Sequence, residues 1–111
     1  MKKQSPETHL VRQIITYLNI SGWEAKKLKT HGVFDTQRKC FRSDPNAWVG
    51  VPDILAFKDT AIMFIEAKIL PNKIKPESPQ AHFRELCNKA SVIHYEINSL
   101  EQLQEILKFC F

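Results

Sequence analysis

Residues 50 to 68 read GVPDILAFKDTAIMFIEAK. Two apolar runs, ILAF and AIMFI, flank the polar turn KDT. Asp53 precedes the first run, and Glu66 and Lys68 close the second. Alternation and composition predict two strands, about 53–57 and 61–69. Their remaining positions are apolar on both faces, the pattern of a central strand pair covered on both sides. Three charges at one shared end of such a pair need a physical reason.

A two-residue turn with Asp59 and Thr60 at its tip sets the register. Lys58 then faces Ala61, Phe57 faces Ile62, Leu55 faces Phe64, and Asp53 faces Glu66. Directly opposed residues hold their Cβ atoms roughly 4.5–5.5 Å apart. Glu66 and Lys68 share a face because side chains alternate along a strand. Asp53, Glu66 and Lys68 are therefore expected on one face at one end of the hairpin. Two carboxylates this close repel each other. Lys68 can neutralise one of them, or a hard divalent cation can sit between them. Mg²⁺ favours one or two carboxylates completed by water and phosphate oxygens. There it would lower the pKa of a bound water and stabilise charge on a pentacovalent phosphate. Lys68 would orient or polarise that water, or counter the developing negative charge.

Outward from the hairpin, Ser5-Pro6-Glu7 reads as a helix start: N-cap, proline at the first helical position, acid in the first turn. Leu10, Val11, Ile14, Ile15 and Leu18 follow at helical spacing, and Asn19 to Gly22 ends the helix. Trp23 to Lys29 alternates as a strand. From Thr30 to Trp48 periodicity is lost in a basic, aromatic stretch with room for a short strand near Cys40–Arg42; a connection this long is often functional. Pro71 and Pro76 bracket the loop LPNKIKPE. Ser78-Pro79-Gln80 starts a second helix, with Phe83, Leu86, Cys87 and Ala90 at helical spacing. Ser91–Ile97 reads as a strand, and Ser99 with Gln102 forms a capping box for a last helix carrying Leu100, Leu103, Ile106 and Leu107. The order is α-β-β-β-α-β-α.

The 111 residues suit one compact domain over 1–111, and 43% hydrophobic content supplies a core. No apolar run approaches the roughly 20 residues that span a bilayer. The start, MKKQSPETH, has no apolar segment of the secretory type. Cys40, Cys87 and Cys110 are odd in number and widely spaced, which argues against a disulfide framework or zinc ribbon and for buried free thiols in a reducing, cytoplasmic setting. A net charge of +4 favours polyanionic partners weakly. Its distribution says more: Lys26, Lys27 and Lys29 cluster, then Arg38, Lys39 and Arg42, then Lys68, Lys73 and Lys75.

With those residues in place, Pro52-Asp53 followed by Glu66-Ala67-Lys68 resembles the PD-(D/E)XK nuclease signature. The element order resembles that superfamily's restriction-endonuclease-like αβββαβ core, a mixed α/β sheet flanked by helices, here with an extra C-terminal helix. More narrowly, the chain resembles stand-alone VRR-NUC domains of phages and bacteria. Glu7 on the first helix, Gly50-Val51-Pro52-Asp53, Glu66-Ala67-Lys68, and Ser78-Pro79-Gln80 opening the next helix carry that resemblance over nearly the whole chain. Trp48-Val49, just before Gly50, departs from the polar or basic residues expected there.

The resemblance implies Mg²⁺- or Mn²⁺-dependent hydrolysis of DNA phosphodiesters. Asp53 and Glu66 would ligate the metal together with the Ala67 carbonyl, and Lys68 would be the catalytic lysine. Glu7 would be a further ligand or a water-organising acid, and Gln80 an active-site residue. Stand-alone members look like homodimers that cut branched DNA such as four-way (Holliday) junctions.

Each assignment has an ordinary counterpart. An acid in the first helical turn complements the helix macrodipole whatever the function, although position 7 shares the stripe of Leu10, Val11, Ile14 and Leu18. Gln80 sits on the stripe of Phe83, Arg84 and Cys87, or is a solvated residue of the first turn. Arg38, Lys39 and Arg42, with Phe34, Phe41 and Trp48, suit phosphate contacts plus stacking, or a solvated face seated by its aromatics. Their loop leads into the strand carrying Asp53, which favours DNA contact. Lys73 and Lys75, just past Lys68, are expected as phosphate contacts from the other side. His31 could touch DNA or be exposed, His82 lies on a helix face, His94 reads as a satisfied core histidine, and His9 points away from Glu7. Three other functions fit part of the pattern: a DNA-binding module without catalysis, a nuclease acting on flaps or ends with a partner protein, and a small interaction protein whose charged hairpin end is a salt bridge.

Overall fold

A computed structural model describes residues 5–28, 33–35, 40–42 and 48–111, with backbone alone at 33–35 and 40–42. The elements are α1 (Pro6–Ile20), β1 (Glu24–Lys27), β2 (Val33–Asp35), β3 (Cys40–Arg42), β4 (Ile54–Lys58), β5 (Ala61–Ala67), α2 (Pro79–Lys89), β6 (Ile93–Ile97) and α3 (Leu100–Cys110). Four strands form one mixed sheet in the order β1-β4-β5-β6, and β2 and β3 pair as a separate antiparallel ribbon. β4 and β5 are thus the central pair, as their two-faced apolar pattern requires.

The hairpin register is the one the turn dictates. Lys58 pairs with Ala61, Phe57 with Ile62, Leu55 with Phe64, and Ile54 with Ile65. Asp59 supports the tight turn with a left-handed backbone, φ +53°. β6 lies parallel to β5, with Glu66 paired to Glu96 and Ala67 to Ile97. A parallel pair needs a crossover, and α2 provides it.

Alternation divides the sheet into two faces. Ala25, Ile54, Ala56, Met63, Ile65, Ala67 and Ile97 point to one side and pack with Leu10, Val11, Ile14 and Leu18 of α1 and Leu103 of α3. The other face carries Leu55, Phe64 and Glu66, and there Phe83 of α2 meets Phe64 edge-on at 5.1 Å between ring centroids. The edge strand β1 is only four residues long and exposes Glu24, Lys26 and Lys27, which discourages pairing with a further strand.

The helix starts read from sequence hold. Ser5 Oγ accepts from Thr8 N, Ser78 Oγ from Ala81 N, and Ser99 Oγ from Gln102 N. The Ser99–Gln102 box departs in one detail: Gln102 Oε1 takes the N–H of Asn98 at 2.8 Å, one residue before the cap. β5 ends at Ala67 rather than residue 69, because Asn72 N turns back onto Ile69 O at 2.9 Å. The strand expected over Trp23–Lys29 is Glu24–Lys27. β3 falls where a short strand was expected, but its partner β2 was not foreseen. Two further expectations need correction. Cys87 is a buried free thiol, whereas Cys110 is exposed at the end of α3, where core packing gives out. His94 is half-buried and, among the described residues, has no hydrogen-bond partner at Nδ1, so the expectation of a satisfied core histidine does not hold there. Burial and the neighbouring Arg84 guanidinium hold its imidazole below the usual range, in the neutral form.

Candidate active site

The polar end of the β4–β5 hairpin is built by backbone geometry before any side chain is chosen. Asp53 stands just before β4, with its carbonyl accepting Leu28 N at 2.8 Å. Its carboxylate reaches across the hairpin, where Oδ2 accepts the N–H of Ala67 at 2.8 Å. That bond fixes Asp53 against the end of β5. Lys68 N continues the parallel ladder onto Ile97 O at 2.9 Å, which fixes the backbone one residue beyond the strand.

Glu66 is the single buried charged residue of the described chain, only 2% exposed. Its Oε1 accepts from Gln80 Nε2 at 3.1 Å and lies 3.8 Å from Lys68 Nζ. An ion pair and a hydrogen bond do not offset the loss of water. Burial first, then the Asp53 carboxylate, push the Glu66 carboxyl from 4.5 up to about 8. Lys68 works against this, and Glu7 and Glu96 add to it. Protein groups alone therefore leave Glu66 protonated at neutral pH, in a crowd of acids with one close ammonium.

Glu7, Lys68 and Gln80 line one cleft of about 830 Å³, together with the loop 71–76. The loop is held rather than loose. Ile74 is buried, and its N–H reaches Glu96 Oε2 at 3.4 Å. Ser78 Oγ bonds Lys75 O at 2.6 Å. Ile74 turns inward while Lys73 and Lys75 stay exposed on either side of it along the cleft wall. Three lysine side chains thus border the same opening.

The structure brings Asp53, Glu66, Ala67, Lys68 and Gln80 together and sets Glu7, Lys73 and Lys75 along the same cleft. His31, Arg38 and Lys39 lie outside the described residues, and Arg42 is described by its backbone alone. His9 lines a different groove, on the outer side of α1, and His82 is exposed on α2. Two residues missed in the sequence complete the site's surroundings. Glu96 lies beside Glu66 across the β5–β6 ladder, and Arg84 Nη1 meets Glu96 Oε1 at 3.3 Å. Arg84 already shared a stripe with Gln80, Phe83 and Cys87, a signal that α2 turns it toward the sheet.

Among the described residues, no three His, Cys, Asp or Glu side chains gather into a metal-binding group. What the site offers instead is two neighbouring carboxylates, Asp53 and Glu66, both oxygen donors. That suits a hard cation whose remaining positions go to water and phosphate, and suits a softer, fully protein-caged ion poorly. The anionic crowding around Glu66 is the physical deficit such a cation would relieve.

No family model matches the chain, and no curated protein matches it. Among solved structures, the chain is similar to a VRR_NUC domain, with 19% sequence identity, a TM-score of 0.71, and coverage of 97% of this chain and 100% of that one. The agreement extends over the whole architecture, from α1 through the four-stranded mixed sheet to α3. This chain has the fold of a VRR_NUC domain.

Proposed function

We propose that the chain is a divalent-metal-dependent endodeoxyribonuclease that hydrolyses phosphodiester bonds in branched DNA, four-way junctions foremost. The observation that carries this reading is the convergence of Asp53, Glu66, Lys68 and Gln80, the last two of which line a lysine-bordered cleft. The likeness in fold to a VRR_NUC domain supports a nuclease-type reading.

Asp53, Glu66 and the Ala67 carbonyl would hold Mg²⁺ or Mn²⁺, and Glu7 would organise a water at the cleft. The cation supplies an acidified water and charge stabilisation at the phosphate. The chain's own groups do the rest. Ala67 N–H fixes the Asp53 carboxylate, and Gln80 fixes Glu66. Lys68 orients the attacking water and counters negative charge as it develops on the phosphate oxygens. Lys73 and Lys75 hold flanking phosphates. A homodimer would set two such clefts across a symmetric branch.

The test is a cleavage assay on labelled linear, flap and four-way-junction DNA with Mg²⁺, Mn²⁺ or EDTA, beside Lys68→Ala and Asp53→Asn. The reading predicts cutting of branched DNA that EDTA and either substitution abolish. Cutting that persists in EDTA, or survives Lys68→Ala undiminished, removes the mechanism. Binding without cutting in either metal leaves a DNA-binding module.

A further inference from the structure

Two clefts meet at Ser78. One is the lysine-bordered cleft of Glu7, Lys68 and Gln80. The other, about 610 Å³, shares Ser78 with it and is lined by Trp48, Val49, Glu77, Pro79, His82 and Glu85 among others. Trp48 is 59% exposed and Val49 68%. A tryptophan left this open beside a cleft is a large apolar surface that no described residue covers.

The indole is nonetheless held in place. Its ring meets Phe83 at 4.9 Å between centroids, inclined by 60°, and Phe83 is itself buried against Phe64. Two residues on, Gly50 presses against the backbone of Pro79 and Gln80 so closely that a Cβ there would lie 2.3 Å from the Pro79 carbonyl oxygen. Gln80 in turn bonds Glu66. Trp48 therefore stands at a fixed place relative to the catalytic carboxylates.

The two clefts differ in charge. Lysines border the first, which suits phosphates. Glu77 and Glu85 border the second, which repels them. A flat, uncharged ring bearing amino groups has neither problem: it stacks on an indole and offers N–H donors to carboxylates. A nucleotide presents both chemistries at once, with its phosphate on one side and its base on the other. Inside a duplex the base is stacked above and below and has no free face to offer.

We propose that the Trp48 cleft receives an unpaired nucleobase of the strand whose phosphates lie in the adjoining lysine cleft. Selection among branched DNAs is then for those with an unstacked nucleotide near the bound phosphate. This rests on the nuclease reading for the strand in the lysine cleft, and it is tested without cleavage.

The experiment uses the full chain in EDTA and two labelled DNAs of equal length, one fully paired and one with a single unpaired 2-aminopurine. Binding is read by anisotropy and stacking by quenching of the 2-aminopurine. Wild type is expected to favour the unpaired DNA and to quench its fluorescence. Trp48→Ala should weaken that DNA by about 5- to 150-fold, the range for one stacked base, and leave the paired duplex unchanged. Trp48→Phe should keep most of the preference, which separates stacking from loss of fold. The proposal is overturned if Trp48→Ala weakens both DNAs equally or neither, if wild type binds neither, or if the substitution only dissociates a dimer in light scattering. A Trp48-dependent preference in a protein that cuts nothing with Mg²⁺ or Mn²⁺ would remove the nuclease reading and leave the base-binding inference standing on a DNA-binding module.

Discussion

Asp53 Oδ2 accepts the backbone N–H of Ala67 at 2.8 Å, so the carboxylate is anchored to the strand that carries Glu66 and leads into Lys68. One residue thereby has two separable duties, holding the hairpin end closed and presenting negative charge. Asp53→Asn keeps an acceptor for Ala67 and removes the charge. It should fold with a melting temperature near wild type and lose at least about 100-fold in cleavage, in the range of removing a principal electrostatic group. Asp53→Ala also strands the Ala67 N–H and should cost about 1–3 kcal/mol of stability. Paired melting curves and cleavage rates check this; equal instability of the two variants would contradict it.

Glu66 makes stability depend on pH in a defined direction. Its carboxyl loses its proton near 4.5 when unfolded and near 8 when folded without metal. Between those values the folded state binds more protons, so stability falls as pH rises toward and through 8. His94 has the opposite sign, but its window closes below neutrality. Melting in EDTA between pH 7 and 8.5 should therefore show a decline that Glu66→Gln abolishes. At pH 8 that variant should melt at least about 5 °C above wild type, the response to roughly 1 kcal/mol in a domain this size. Identical slopes would contradict the assignment.

Gly50 and Gly22 both have positive φ, 84° and 94°, but only Gly50 touches backbone. A Cβ at Gly22 would meet the flexible end of Lys58 at 3.5 Å, whereas one at Gly50 would collide with Pro79 and Gln80. Gly22→Ala should cost about 1 kcal/mol, the conformational term alone. Gly50→Ala should cost more than about 2 kcal/mol and lower cleavage, because the start of α2 carries Gln80. Denaturant melts of both variants make the comparison.

The hairpin, its register and the helix starts were legible because each is set locally. Alternating apolar runs give the strands, a two-residue turn gives the pairing, and Ser-Pro gives the α1 and α2 caps. Asp53, Glu66 and Lys68 came together for the same reason. Glu96 was not legible, since its place beside Glu66 depends on a parallel register set through the α2 crossover rather than by any turn. β2 was missed because three residues, Val33 to Asp35, are too few to show a period. Cys110 was misread because its helix outruns the core it packs on.

Glu96 and Arg84 hold the loop of Lys73 and Lys75 through the Ile74 N–H. Glu96→Gln retains an acceptor and should bind DNA nearly as wild type, while Glu96→Ala should bind several-fold more weakly with little change in the rate of bound substrate. Lys73→Ala and Lys75→Ala should each lower the slope of log affinity against log salt by about 1. Unchanged slopes would place these lysines off the DNA path.

The central claim is that Asp53 and Glu66 form a pocket waiting for a divalent cation. Calorimetric titration of Mn²⁺ at pH 7 in buffers of different ionisation enthalpy tests it most directly. Since Glu66 holds its proton until the ion arrives, wild type should bind and release about one proton per ion, and Glu66→Gln and Asp53→Asn should each bind far more weakly. No binding by wild type, or binding by both variants at wild-type affinity, would contradict the claim.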